Sequence, residues 1–108
     1  MWCHMVSENI VDSVLRQLQV HKNKLRCNEV QDLLEQLGFV VRDGARGGHK
    51  VFVHPQLEGF YSGSYNCGHG RNPEIKVAYI SNVIRIINLY REALIGNFEH
   101  GGIYDKRS

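Results

Sequence analysis

Apolar positions along the chain change their spacing where the backbone should change its geometry. Ile10, Val11, Val14, Leu15 and Leu18 fall at helical intervals, with Asp12, Arg16, Gln17 and Gln19 on the other side and Ser7 placed to cap the first turn. The period is lost over residues 20–27. Asn28, with Gln31 three residues on, has the form of a capping box for a second helix whose apolar stripe is Val30, Leu33, Leu34 and Leu37. Gly38 stands where a helix-ending glycine takes the left-handed conformation, and residues 39–42 read as a strand. A turn over 43–48 leads to a second strand at 49–54, with His49, Val51 and Val53 on one face and Lys50, Phe52 and His54 on the other. Both sets hold apolar residues, so alternation leaves open which face is core. Pro55 ends the strand, and a third, weaker strand is expected at 62–67. After a loop at 68–73, Pro73 and Glu74 suit the first turn of a long helix. Its apolar face runs through Ile75, Tyr79, Val83, Ile86, Ile87, Tyr90 and Leu94 to about residue 95, where Gly96-Asn97 should stop it. The tail beyond is expected to fray.

This order of helix, helix, three strands and helix describes an α+β sandwich, a three-stranded antiparallel sheet covered by helices on one side and free to meet a ligand on the other. A chain of 108 residues is enough for one domain and one core. Its net charge of +2 and pI near 8.5 permit a polyanionic partner without demanding one. The three cysteines, Cys3, Cys27 and Cys67, are odd in number, widely spaced and without a CxxC pair. Reduced thiols are therefore expected, with neither a disulfide framework nor a structural zinc site. No apolar run approaches the roughly 18 residues of a membrane span, and the first five residues do not lead into the apolar segment of a signal peptide. The expectation is a soluble, cytoplasmic protein.

Candidate chemistry gathers in Gly47-Gly48-His49-Lys50-Val51-Phe52-Val53-His54-Pro55. Two glycines let the backbone approach a phosphate or turn sharply, and their amides can hold a phosphate oxygen. A histidine opening the next strand is held at a rim that substrate can reach. His54, beside Pro55, reads better as a strand-end residue that packs or hydrogen-bonds. His69, between two glycines, reads as exposed, with substrate contact as the alternative. Cys67-Gly68-His69 has zinc-binding atoms but no second ligand pair. Arg42, Arg46, Lys50, Arg71 and Lys76 can form a phosphate track, although dispersed cations are most often solvated surface. Phe52, Phe60, Tyr61 and Tyr65 can stack bases or serve the core.

From Asn28 to about Tyr90 the chain resembles the HicA family of toxin ribonucleases, whose small domain has a double-stranded-RNA-binding-like fold. The resemblance rests on Leu33-Leu34-Glu35-Gln36-Leu37-Gly38-Phe39, on the glycine-histidine run through His54-Pro55, and on His69-Gly70 ahead of Glu74-Ile75-Lys76. It implies an mRNA interferase that arrests translation, needs no metal or other cofactor, and is held inactive by a HicB-type antitoxin. It places the catalytic histidine at His49; nearness in sequence then offers Gly47, Gly48, Lys50, Arg46, His69 and Arg71 as candidate RNA contacts. A second group must protonate the leaving oxygen or neutralise the developing charge, and Lys50, His69, Arg46 and Arg71 all qualify by sequence. The chain departs from the family in adding a helix at 1–27 before the domain at 28–95 and a tail at 96–108, and in carrying Lys50 where many members have a second histidine. The added helix has an apolar face as well formed as the second helix, and is expected to complete the core. Two readings of other classes remain: an RNA-binding module without catalysis, and a protein-interaction module using the C-terminal helix.

Overall fold

Ser7 caps as its position predicts: its Oγ accepts a hydrogen bond from the Ile10 amide at 3.2 Å, opening helix α1 (Glu8–Val20). The computed structural model describes residues 6–96. Val11, Val14 and Leu18 of α1 are wholly buried, packed with helix α2 (Cys27–Gln36) and helix α3 (Val77–Leu89). The N-terminal helix thus completes the same core as the rest of the chain. Helix α2 begins one residue before Asn28, with Arg26 as its N-cap, and the box closes through Glu29, whose carboxylate accepts the Arg26 amide at 2.8 Å. Asn28 and Gln31 do not form it, because the Asn28 amide is taken at 2.9 Å by Asn72 Oδ1 from across the fold.

Strands β1 (Val40–Asp43), β2 (His49–Val53) and β3 (Gly63–Asn66) form an antiparallel sheet in the order β1-β2-β3. With the helices this is the α+β sandwich that the element order predicts, consistent with the double-stranded-RNA-binding-like arrangement that the resemblance implies. The structure also settles the face that alternation left open. Phe52 and His54 are buried beneath the helices with Tyr65, the cross-strand partner of Lys50. His49, Val51 and Val53 lie on the open face with their partners Asn66, Ser64, Arg42 and Val40. Phe39 meets the rings of Phe52, Phe60 and His54 edge-on at 4.9–5.6 Å, so these aromatics serve the core. The His54 ring sits in the tautomer that donates from Nε2 to Leu37 O at 2.9 Å and accepts the Gln56 amide at Nδ1. It is a structural histidine joining the end of α2 to the turn after β2.

The long helix expected from residue 73 to 95 is shorter and divided. Residues 73–76 are extended, because the chain here pairs with residues 25–27: Ile75 N–H donates to Leu25 O at 2.8 Å and Cys27 N–H to Pro73 O at 3.0 Å. Helix α3 therefore starts at Val77 and gives way at Tyr90 to the single turn α4 (Arg91–Leu94). Tyr90 is held by its ring against Phe60 and by its hydroxyl donating to Gly59 O, while Arg91 reaches Asp12 and Glu8 of α1 at 2.8 and 3.0 Å. The tail from residue 97 lies outside the described residues. Among the described residues no helix is long and apolar enough to cross a membrane.

Tyr65 carries a buried hydroxyl with no hydrogen-bond partner among the described residues. Burial first, and the nearby Glu35 carboxylate second, push its pKa above the ordinary tyrosine range. A phenol whose folded pKa exceeds its unfolded value holds its proton more tightly when folded. Its contribution to stability is therefore complete below the ordinary tyrosine range and is lost as pH climbs toward the folded value. Replacing Tyr65 with Phe is expected to leave stability at neutral pH unchanged or raised by about 1 kcal/mol, and to lessen the loss at alkaline pH. Urea titrations of both proteins at neutral and alkaline pH test this. A clear loss of stability at neutral pH would show that the hydroxyl has a partner worth keeping.

Candidate nucleic-acid interface

The start of β2 and the chain leaving β3 cross in contact. Gly48 has φ of +80°, and a Cβ there would stand 2.4 Å from Gly68 O, so the crossing requires glycine on both conformational and steric grounds. The Cys67 amide donates to Gly48 O across it at 2.6 Å. Beside the crossing, Cys67 is joined to Cys27 by a disulfide with 5.4 Å between Cα atoms. This corrects the expectation of reduced thiols. The two cysteines are 40 residues apart, and only the docking of the α2 N-terminus against the end of β3 brings them together. It also removes Cys67 from any metal-binding role beside His69. Loop 68–73 is tied down at its far end, where Asn72 receives the Asn28 amide at Oδ1 and the Arg26 guanidinium at its carbonyl.

His49 opens β2 on the open face of the sheet and is half-buried. Its amide donates to Arg46 O at 3.1 Å and its carbonyl accepts the Gly44 amide at 2.8 Å, so the 43–48 turn folds back over it. The imidazole occupies the space beside Gly44: a Cβ there would lie 2.1 Å from Cδ2 and 2.9 Å from Cγ of His49. Gly44 is thus the surface against which the ring is seated.

Two clefts flank the disulfide. The larger, about 610 Å³, is lined by Arg46, Gly47, Asn66, Cys67, Gly68, His69, Glu74, Lys76 and Tyr79. His49 does not itself line this cleft, although Gly47, two residues before it, and Asn66, its cross-strand partner, do. The smaller, about 360 Å³, is lined by Gly48 and Lys50 together with the disulfide, Asn28, Gln31, Gly70, Asn72 and Pro73. Arg46, Gly47 and His69 are therefore brought together, whereas Gly48 and Lys50 open to the other side. Lys50 projects from the face opposite His49 and is ion-paired with Asp43. Arg71 is exposed and lines neither cleft, and Arg42 is exposed on the open face. Sequence reasoning missed Gly44, Asn66 and Glu74 as site residues, and read Tyr79 only as helix-core. The glycine at position 44 of the turn was the one local signal available. The fold and cleft define a small α+β protein whose one-sided sheet ends in a polar, cation-bearing groove. No protein-family model, curated protein or solved structure matches the chain.

Two outcomes test this geometry. Gly44→Ala is compatible with the backbone but drives its Cβ into the imidazole, so it should lower stability by about 1–3 kcal/mol while displacing the ring and shifting the His49 ring resonances in NMR spectra; unchanged resonances would show that the ring is seated elsewhere. Reduction of the Cys27–Cys67 bond, which closes a loop of 40 residues, should lower stability by about 4 kcal/mol on the chain-entropy account. Urea unfolding with and without dithiothreitol measures it, and coincident curves would argue against the bond.

Proposed function

We propose that this protein is an endoribonuclease of the HicA kind that cleaves mRNA by histidine acid–base catalysis in the cytoplasm and so arrests translation. The observation that carries the reading is the place of His49 on the open sheet face, with its neighbour Gly47 and its cross-strand partner Asn66 in the lining of a cleft that holds Arg46, His69 and Lys76. It is supported by the run of residues through Gly47-Gly48-His49 that resembles those toxins. In the proposed reaction the His49 imidazole takes the proton from a ribose 2′-hydroxyl, and that oxygen attacks the adjacent phosphorus. The bond to the 5′-oxygen breaks, leaving a 2′,3′-cyclic phosphate, and the departing oxygen takes up a proton. The cleft favours His69 as the proton donor, with Arg46 and Lys76 offsetting charge on the phosphorane-like transition state. Lys50, on the other face and paired with Asp43, is poorly placed for either task. This chemistry asks nothing of a metal. A HicB-type antitoxin would inhibit by covering the open sheet face and the cleft mouth, where an acidic surface would meet Arg42, Arg46 and Lys76.

The test is cleavage of an unstructured RNA in excess chelator, with the wild-type protein beside a folded His49→Ala variant. Wild type is expected to cut and leave 2′,3′-cyclic ends, with the variant slower by 100-fold or more, the usual order of ~10²–10⁴ for a lost acid–base group. Equal cutting by both would remove His49 from the chemistry. Binding without cutting by either would make the protein an RNA-binding module.

A further inference from the structure

We infer that the larger cleft is a subsite for one nucleotide of single-stranded RNA beside the cleaved bond, with Tyr79 as the platform on which its base stacks. The inference rests on the ribonuclease reading and adds to it a substrate form and a binding residue. Tyr79 is half-buried near the start of α3, packed on the core while also lining the cleft. Among the described residues its ring meets no other aromatic ring, unlike Phe39, Phe52, Phe60, Tyr65 and Tyr90, which are engaged with one another. A tyrosine held from behind and open in front is what base stacking uses. Gly47 and Gly68 add backbone without side chains to the lining, and the space where each Cβ would stand is empty to 4 Å. A flat ring can therefore enter.

The charges in the cleft specify a nucleotide rather than a bare phosphate. Arg46 and Lys76 come from separate segments, the turn before β2 and the stretch before α3, and can neutralise a phosphodiester. Glu74, 3.9 Å from the Arg26 guanidinium, puts a carboxylate in the same lining and disfavours a cleft filled by phosphate alone. With Asn66 it supplies acceptors for the amino and hydroxyl donors of a base and ribose. A base in a duplex is already stacked and cannot leave its partner to enter without an unpairing cost, so the cleft selects single strands.

The experiment measures binding of a short, fluorescently labelled, unstructured RNA by anisotropy, in a His49→Ala background so that the RNA survives. Tyr79→Leu keeps an apolar side chain against the core but has no ring to stack, and Tyr79→Phe keeps the ring. The leucine variant is expected to bind on the order of tenfold more weakly and the phenylalanine variant as the parent does. Joint replacement of Arg46 and Lys76 by Ala should reduce the salt dependence of log K by roughly 0.7 for each charge. Equal affinity of the leucine variant and the parent, thermal melts confirming that both are folded, would overturn the subsite. So would equal affinity of the parent for a duplex of the same sequence. Failure of the parent to bind any RNA would instead remove the ribonuclease reading on which the subsite rests.

Discussion

The crossing of Gly48 over Gly68 is the constraint on which the rest of the site depends. The backbone of Gly68 can come this close only because Gly48 carries no Cβ, and the Cys67 amide then finds Gly48 O at 2.6 Å. One contact sets three relationships at once. It fixes the direction in which the turn 43–48 enters β2, and hence where His49 emerges. It turns the chain leaving β3 toward α2, where Cys67 meets Cys27. It also divides the space around the disulfide into a cleft on the His49 side and another on the Lys50 side.

The one-sided sheet then sorts the chemistry by alternation. Residues of odd number in β2 face outward and those of even number face the helices, so adjacent His49 and Lys50 serve different ends. Lys50 spends its charge on Asp43 at the edge of the core, and His54 spends both ring nitrogens on backbone groups. His49 is the histidine of β2 left facing the open side. Cations that sequence places in one loose group are separated in the same way: Arg46 and Lys76 share a cleft, Arg42 belongs to the open face, and Arg71 stands apart.

Much of this was legible in the chain because it depends on local physics. Helical spacing located α1 and α2, Ser7 and Gly38 marked ends, and the two-residue period identified β2 and its two faces. What escaped was decided by partners distant in sequence. Asn28 looked like a cap but gives its amide to Asn72; Pro73 looked like a helix start but belongs to a pairing with residues 25–27. The face of β2 that is buried could not be read from its own apolar content, and was chosen by where Tyr65 and the helices lie. The disulfide is the clearest case. Spacing rules for cysteine describe pairs close in sequence, and Cys27 and Cys67 meet only because two separate elements end at the same place.

That same meeting place explains how a disulfide can sit beside a site proposed to act in a reducing compartment. The bond is not alone in holding the crossing. Within a few residues of it lie the Cys67 amide to Gly48 O, the Cys27 amide to Pro73 O, the Ile75 amide to Leu25 O, and the Asn28 amide to Asn72 Oδ1. Each of these contributes about 1 kcal/mol net, and together they define the positions of both loops without any covalent link. A disulfide acts chiefly on the unfolded chain, whose freedom it restricts, so its loss lowers the stability of the whole fold more than it alters any one contact. The geometry around His49 is therefore set by hydrogen bonds and by glycine, and the covalent bond raises the cost of unfolding around it.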